Sequence, residues 1–407
     1  MKAVARREAK MVINQNPATG SSSDTLLRMV YASLALGAAS SSVISVSLPF
    51  RFLALGLPVD NYGIVVGGYA LGMLLLEAFW GRLAFRLAVR RWIVVLGGVV
   101  VALVLVLGFL PTFLPLLLDY TALGAIFIFL IPLQRFVGMH AQGPSSEGRG
   151  VGRTSAFWGV GFALGSAAGP VIFTTFGFRA DVTVSAMLFG GSIVTSAIAP
   201  WRSARLPALA TNAPSGLRTM SLSLARVSLL VVAAFIIFSF PSSYLPYYAV
   251  VFYGISRPGT GYILGAARLV SLLASFFLGS WGDRRGHPQA VLISFFLLAA
   301  GIAGTWFAPN AVGMTAATLL MFVGWGWLGA SLLPLAMAPI ATRQRGSAIG
   351  LYGSMEDLGL LLGPVIFGFV WSYWGGVNLF PVALAVAIMG FVLTLPFVFR
   401  WPEARVR

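Results

Sequence analysis

An internal repeat, written in helix-packing residues, limits this chain to very few folds. Gly165-x-x-x-Gly169-Pro170-Val171-Ile172-Phe173 returns half a chain later as Gly359-x-x-x-Gly363-Pro364-Val365-Ile366-Phe367. Leu48-Pro49-Phe50 returns as Leu245-Pro246-Tyr247, and the pair Gly63 and Gly81 returns as Gly261 and Gly279. Matches that keep one order and nearly one spacing imply duplication of a unit close to half the chain.

The solvent of that unit follows from its composition. Hydrophobic residues make up 58% of the chain and charged residues 9%, with a mean hydropathy of +0.90. A water-soluble domain with these values would expose large apolar patches. Runs such as 92–110 and 292–307 approach or reach the roughly 20 residues needed to cross ~30 Å of hydrocarbon. The chain reads as an all-α membrane protein of about twelve spans, at 27–50, 61–81, 92–110, 114–137, 154–176 and 182–200, then 226–250, 258–280, 289–307, 311–339, 347–372 and 378–399. This organisation predicts a tail at 1–25, a six-helix half at 26–200, a linker at 201–222, a second six-helix half at 223–400 and a tail at 401–407. Gly20 to Asp24 are expected to cap the first helix. Two homologous membrane halves are a recurrent plan for secondary transporters, because a site between them can open alternately to either side.

A formal net charge of +16 invites a nucleic-acid reading, and its placement argues against one. Arginines crowd alternate loops, including Arg82, Arg86, Arg90 and Arg91, then Arg202 and Arg205, and Arg284 and Arg285. The intervening loops hold Arg51, Arg179 and Arg257. The positive-inside rule then predicts both termini in the cytoplasm and an inner (plasma) membrane location. Cysteine is absent and histidine is limited to His140 and His287 at loop edges, so disulfides, thiolate chemistry and a metal site are not expected. Neither a Gly-rich phosphate loop ending in Lys-Ser/Thr nor a nucleophile–base set occurs. The chain is expected to be neither an enzyme nor a cofactor binder.

Gly279-Ser280-Trp281-Gly282-Asp283-Arg284-Arg285-Gly286 after the eighth span resembles the Gly-x-x-x-Asp-Arg-x-Gly loop signature of the major facilitator superfamily. The equivalent stretch, Gly81-Arg82 through Arg86 to Arg91, keeps its frame, with Phe85 where the acid is expected. Glu147-Gly148-Arg149-Gly150 and Arg343-Gln344-Arg345-Gly346 resemble the turns that open that family's fifth and eleventh helices. Gly165, Gly169 and Pro170 are similar to the signature of its proton-coupled drug antiporters of twelve spans. The first-span acid and fourth-span arginine of that branch have no match here. The resemblance implies gating by Gly81, Arg82, Arg86, Gly279, Asp283 and Arg284 and by the two motifs Gly165-Gly169-Pro170 and Gly359-Gly363-Pro364. Physically, glycines four apart leave a groove for a neighbouring helix and the proline bends it; plain helix packing is the competing reading.

Ionisable groups within spans are costly enough to be functional candidates. Arg268, eleven residues before Gly279, and Glu356, eleven after Arg345, each sit ~16 Å from one membrane edge. Asp357 is the next residue, rotated ~100° around the helix. A direct or water-bridged contact between Arg268 and one of these acids is therefore expected, serving either proton coupling or a permanent structural pair. Glu77 lies ~6 Å inside the same edge, and Arg135 ends the fourth span. The spans hold few amides, which disfavours a sugar site, whereas Tyr244, Tyr247, Phe238 and Trp325 offer aromatic walls. Ser40, Ser41, Ser42, Ser45 and Ser47 face either a cavity or tight packing. The expected function is proton-coupled export of a lipophilic or amphipathic small molecule by alternating access. The expected partners are substrate, protons and membrane lipids, around a monomer. Carriage of an organic anion on Arg268, or a non-transporting sensor or assembly role, stands as an alternative.

Overall fold

The computed structural model describes residues 20–83, 89–129, 147–199, 222–338 and 345–404. Among them are twelve helices: α1 (Gly20–Leu55), α2 (Val59–Leu83), α3 (Val89–Leu107), α4 (Phe113–Phe127), α5 (Glu147–Phe176) and α6 (Phe178–Ile198) in the first half. The second half has α7 (Leu222–Ser239, continuing through Phe240–Tyr244 and Leu245–Tyr253), α8 (Arg257–Arg285), α9 (His287–Trp306), α10 (Ala311–Met337), α11 (Arg345–Trp374) and α12 (Leu379–Ala404). Eleven of these are long and apolar enough to cross a membrane, and Phe113–Phe127 is a shorter apolar helix. Large side chains such as Leu75, Phe276, Phe277 and Phe399 point outward, as they should where the surrounding solvent is hydrocarbon.

The helices follow most of the expected spans closely; of the fourth, expected at 114–137, Phe113–Phe127 is helical and 130–137 lie outside the described residues. One departure is Gly20 to Asp24, which lie inside the first turns of α1 rather than ahead of it. Once a helix is nucleated, each further residue adds a backbone hydrogen bond at little cost, so the serine run extends the helix. The other departure is in α7, where Pro241 offers no N–H and the ladder re-spaces into a π-helical turn over Phe240–Tyr244. The Leu245 N–H reaches the Phe240 carbonyl, which re-phases the aromatic end of α7.

Packing repeats as the sequence does. In the first half α1 packs on α5 and α6, α2 on α4, and α3 on α6; in the second α7 packs on α11 and α12, α8 on α10, and α9 on α12. A Cβ at Gly165 or Gly169 would strike the α1 carbonyls of Ala39 or Val43, and one at Gly359 or Gly363 would strike the Val232 or Ile236 carbonyl of α7. Both glycine pairs therefore fasten helices within a half. The α1–α6 contact is a ladder of hydroxyls: Ser33 meets Ser192 at 2.9 Å and Ser196 at 2.6 Å, and Ser40 meets Ser185 at 2.8 Å. Small residues let the backbones approach and the hydroxyls bond across the gap.

Between the halves run two seams, α2 against α11 and α5 against α8. Each is seated by a glycine of one half on the motif proline of the other. A Cβ on Gly63 would strike the Pro364 carbonyl, and a Cβ on Gly261 would meet the Pro170 ring at 3.0 Å. The residues that betray the duplication thus make reciprocal contacts across the pseudo-twofold.

Candidate functional site: the two seams between the halves

The α5–α8 seam holds the cation. Arg268 is buried, and its Nη1 donates to Ser42 of α1, to Ser166 of α5 at 2.5 Å and to the Phe162 carbonyl at 3.4 Å. Its guanidinium carbon lies 4.9 Å from the centroid of the Phe162 ring. These partners are neutral hydroxyls, a carbonyl and a π face, all from the first half. A guanidinium held by neutral groups keeps its full positive charge toward any anion that enters.

The α2–α11 seam holds the acids. The Glu77 carboxylate lies against Gly353, where a Cβ would meet Oε1 at 2.5 Å, so it reaches across to α11 one turn from Glu356. Asp357 is buried, close enough to Tyr69 of α2 to act electrostatically on its hydroxyl. Equal depth led to the expectation that Arg268 contacts these acids; its guanidinium is instead engaged by α1 and α5. Depth along a helix does not say which seam a residue faces, and the pseudo-twofold sends α8 to α5 and α11 to α2.

Toward the arginine-poor face both seams are shut. Ser372 of α11 accepts from the Asp60 amide at 3.0 Å and donates to its carboxylate at 3.2 Å. Across the α2–α11 seam the Tyr244 ring meets Tyr62 of α2 edge-on at 5.6 Å. Within the second half that ring is held in place by its hydroxyl, which donates to the Pro364 carbonyl at 2.5 Å, and Tyr247 packs edge-on against Trp371 at 5.0 Å. Removing one neutral hydrogen bond costs about 0.5–1.5 kcal/mol. Tyr244→Phe, which frees the ring that meets Tyr62, is accordingly expected to raise labelling of a cysteine placed at Ser372 by up to about tenfold, while unchanged labelling would mean that this bond does not position the seam contact. Phe238 and Trp325, stacked at 4.3 Å, line a small apolar recess within the second half with Ile237, Pro241, Leu298, Met321 and Phe322.

This frame of two fastened halves, two seams and a buried cation accompanies a direct match: the Major Facilitator Superfamily model aligns with residues 30–352 and 228–407. The chain belongs to the major facilitator superfamily. Membership makes it a multi-pass membrane transporter rather than an enzyme. Among curated superfamily proteins it is similar to the riboflavin transporter RibZ of Clostridioides difficile (strain 630), 24% identical over 136 residues, 33% of this chain and 30% of that protein. A triacylglyceride transporter of Mycolicibacterium hassiacum is 31% identical over 135 residues, 33% of this chain and 24% of that one. The alignments thus span less than a third of these relatives' length. Solved superfamily structures agree over almost the whole chain. A bacterial homolog of the human lysosomal transporter Spinster, inward-facing and unoccupied, has TM-score 0.74 and 14% identity, covering 94% of this chain and 97% of that one. The nucleoside transporter NupG has TM-score 0.70 and 15% identity, covering 92% and 99%.

The superfamily's loop signatures fall largely where side chains are not described. Arg86, Phe85 and Arg135 lie outside the described residues; Gly81, Arg82 and Asp283 are described only as helical backbone of α2 and α8. Gly279 packs near Ala330 of α10, Arg284 is exposed, and Arg285 lies 5.5 Å from the Trp281 ring. Several site residues escaped the sequence reading. Ser166 sits inside Gly165-x-x-x-Gly169 and passed as spacing, Phe162 carried no signal, and Ser42 was one of a serine run whose direction the sequence left open.

Proposed function

We propose that this protein is a proton-coupled secondary transporter of amphipathic organic compounds, working by alternating access with both termini in the cytoplasm. Export is the direction in keeping with the likeness of Gly165-x-x-x-Gly169-Pro170 to the drug-antiporter signature. In this reading the seams act as complementary gates: acids Glu77, Glu356 and Asp357 on one take up and release protons, and Arg268 on the other holds the polar end of the cargo. Apolar walls such as Phe238 and Trp325 take up its hydrocarbon part once the bundle opens. The observation that carries the reading is that the buried charges lie at the seams between halves that must separate for the centre to open. A buried ion confined to one rigid half could not couple to that motion.

The neutral partners of Arg268 favour a negatively charged cargo within this class, because the cation can receive a carboxylate without first breaking an ion pair. Proteoliposomes that hold the purified protein and a pH indicator test both points. Amphipathic carboxylates added outside should move protons in a protein-dependent way, and matched amphipathic cations should not. Equal responses to both charges would remove the anion assignment, and cargo flux without proton movement would remove the coupling.

A further inference from the structure

Asp181 takes no part in the seams, yet it has no exposed surface at all. It lies in the first turn of α6, near the arginine-poor face. Among the described residues neither of its carboxylate oxygens completes a hydrogen bond, and neither does the hydroxyl of Ser47 on α1 beside it. Ser47 is likewise fully buried. The two groups are neighbours within reach of a hydrogen bond whose geometry is not closed.

What covers them comes from both halves. One turn nearer the membrane surface, on the same helix faces, Phe50 follows Ser47 along α1 and Phe178 precedes Asp181 along α6. Phe173 of α5 joins them, 6.2 Å from Phe50 and 6.0 Å from Phe178 between ring centroids. Arg257, which opens α8 in the second half, places its guanidinium carbon 5.9 Å from the Phe50 ring and 5.4 Å from the Phe173 ring. Arg51 lies 5.3 Å over Phe178. Two of the three rings, Phe50 and Phe173, therefore carry a cation from the opposite half, and separation of the α5–α8 seam at this end lifts it away.

The balance of charge around Asp181 has a definite sign. The helices packed on α6 are α1, α3 and α5. Their ionisable residues at the far, arginine-rich end are Asp24, Arg28 and Tyr31 on α1, Arg90 and Arg91 on α3, and Glu147, Arg149 and Arg153 on α5, more than half the helix away from Asp181. At the near end stand Arg51 on α1 and Arg179 on α6 itself. With the rings closed, a bare carboxylate in an apolar setting is far costlier than the neutral acid, which can donate its proton to Ser47. Once water enters, hydration, the positive end of α6 and the two arginines all favour release.

We propose that Asp181 is a proton-binding site of the first half, protonated while Arg257 covers its aromatic roof and exchanging its proton with the adjoining aqueous face when Arg257 lifts away. This site is separate from the α2–α11 acids and does not depend on which cargo is moved.

Infrared spectroscopy of the full-length protein in lipid, recorded across a pH series, tests it. The wild-type chain should show a buried carboxylic-acid C=O band at neutral pH that is missing in Asp181→Asn, and Asp181→Glu should move that band if the asparagine variant does not fold. Arg257→Gln should let the band disappear at a proton concentration at least about tenfold higher, one unit lower in pH. If the neutral-pH acid band is the same in wild type, Asp181→Asn and Asp181→Glu, the residue is ionised and the proposal fails. If the band is lost in Asp181→Asn but titrates unchanged in Arg257→Gln, control by the opposite half fails.

Discussion

Gly63→Leu and Gly261→Leu are each expected to abolish most transport and to shift the population toward an open arginine-poor face. At Gly63 an added side chain runs into the Pro364 carbonyl, and at Gly261 into Pro170 and the Ser166 carbonyl at 2.8 Å. These obstacles are backbone and a rigid ring, which cannot step aside as a flexible side chain does. Overpacking of this kind costs about 1–3 kcal/mol. Placed on an equilibrium between two arrangements, that is a shift of about 5- to 150-fold. Gly98→Leu supplies the control, because nothing lies within 4 Å of a Cβ there. Labelling of single cysteines near Ser372 should rise strongly in both seam variants and stay at its original level in Gly98→Leu. Equal labelling in all three would mean that the glycine–proline seats do not hold the halves together.

Removal of Arg268 is expected to have the other large effect, and its form separates binding from architecture. Arg268→Ala should eliminate flux of amphipathic carboxylates. Arg268→Lys should recover little, since an ammonium cannot reach Ser42 and Ser166 together while its plane rests on Phe162. Loss of hydrogen bonds to a charged group, at about 1.5–3 kcal/mol, corresponds to roughly 10- to 150-fold in flux. If Arg268 contacts cargo, the loss falls on charged substrates and appears as a raised KM, while neutral cargo is still carried. If it is only an interhelical anchor, neutral and charged cargo fail together and the protein melts earlier.

Much of this fold was legible because the bilayer allows few solutions. Apolar runs had to become helices, and the repeated Gly-x-x-x-Gly-Pro had to mark equivalent close contacts. The sequence did not reveal which neighbour each marker touched. Gly165 and Gly359 face their own halves, whereas Pro170 and Pro364, adjoining the same motifs, face the opposite ones. A helix turns about 100° per residue, so neighbours in sequence look onto different partners. The same limit applied to Arg268. Its depth was readable from Gly279, but its azimuth depended on how α8 packs. Tyr244 and Tyr247 carried an aromatic signal that fits a cavity wall and a closed gate equally well; their partners on α2 and α11 follow from the packing of α7, which the sequence did not show.

Alternation of the two seams is tested most directly by paired distance measurements on introduced cysteines, which this chain permits without removal of native ones because it has none. Spin labels at Phe176 and Val312 report the arginine-poor face across the halves, and labels at Arg91 and Arg284 report the arginine-rich face; all four positions are exposed. The account predicts that acidification or cargo lengthens one distance population while shortening the other, with Gly63→Leu biasing the Phe176–Val312 pair toward the long one. Two distributions that never change, or that lengthen together, would contradict it.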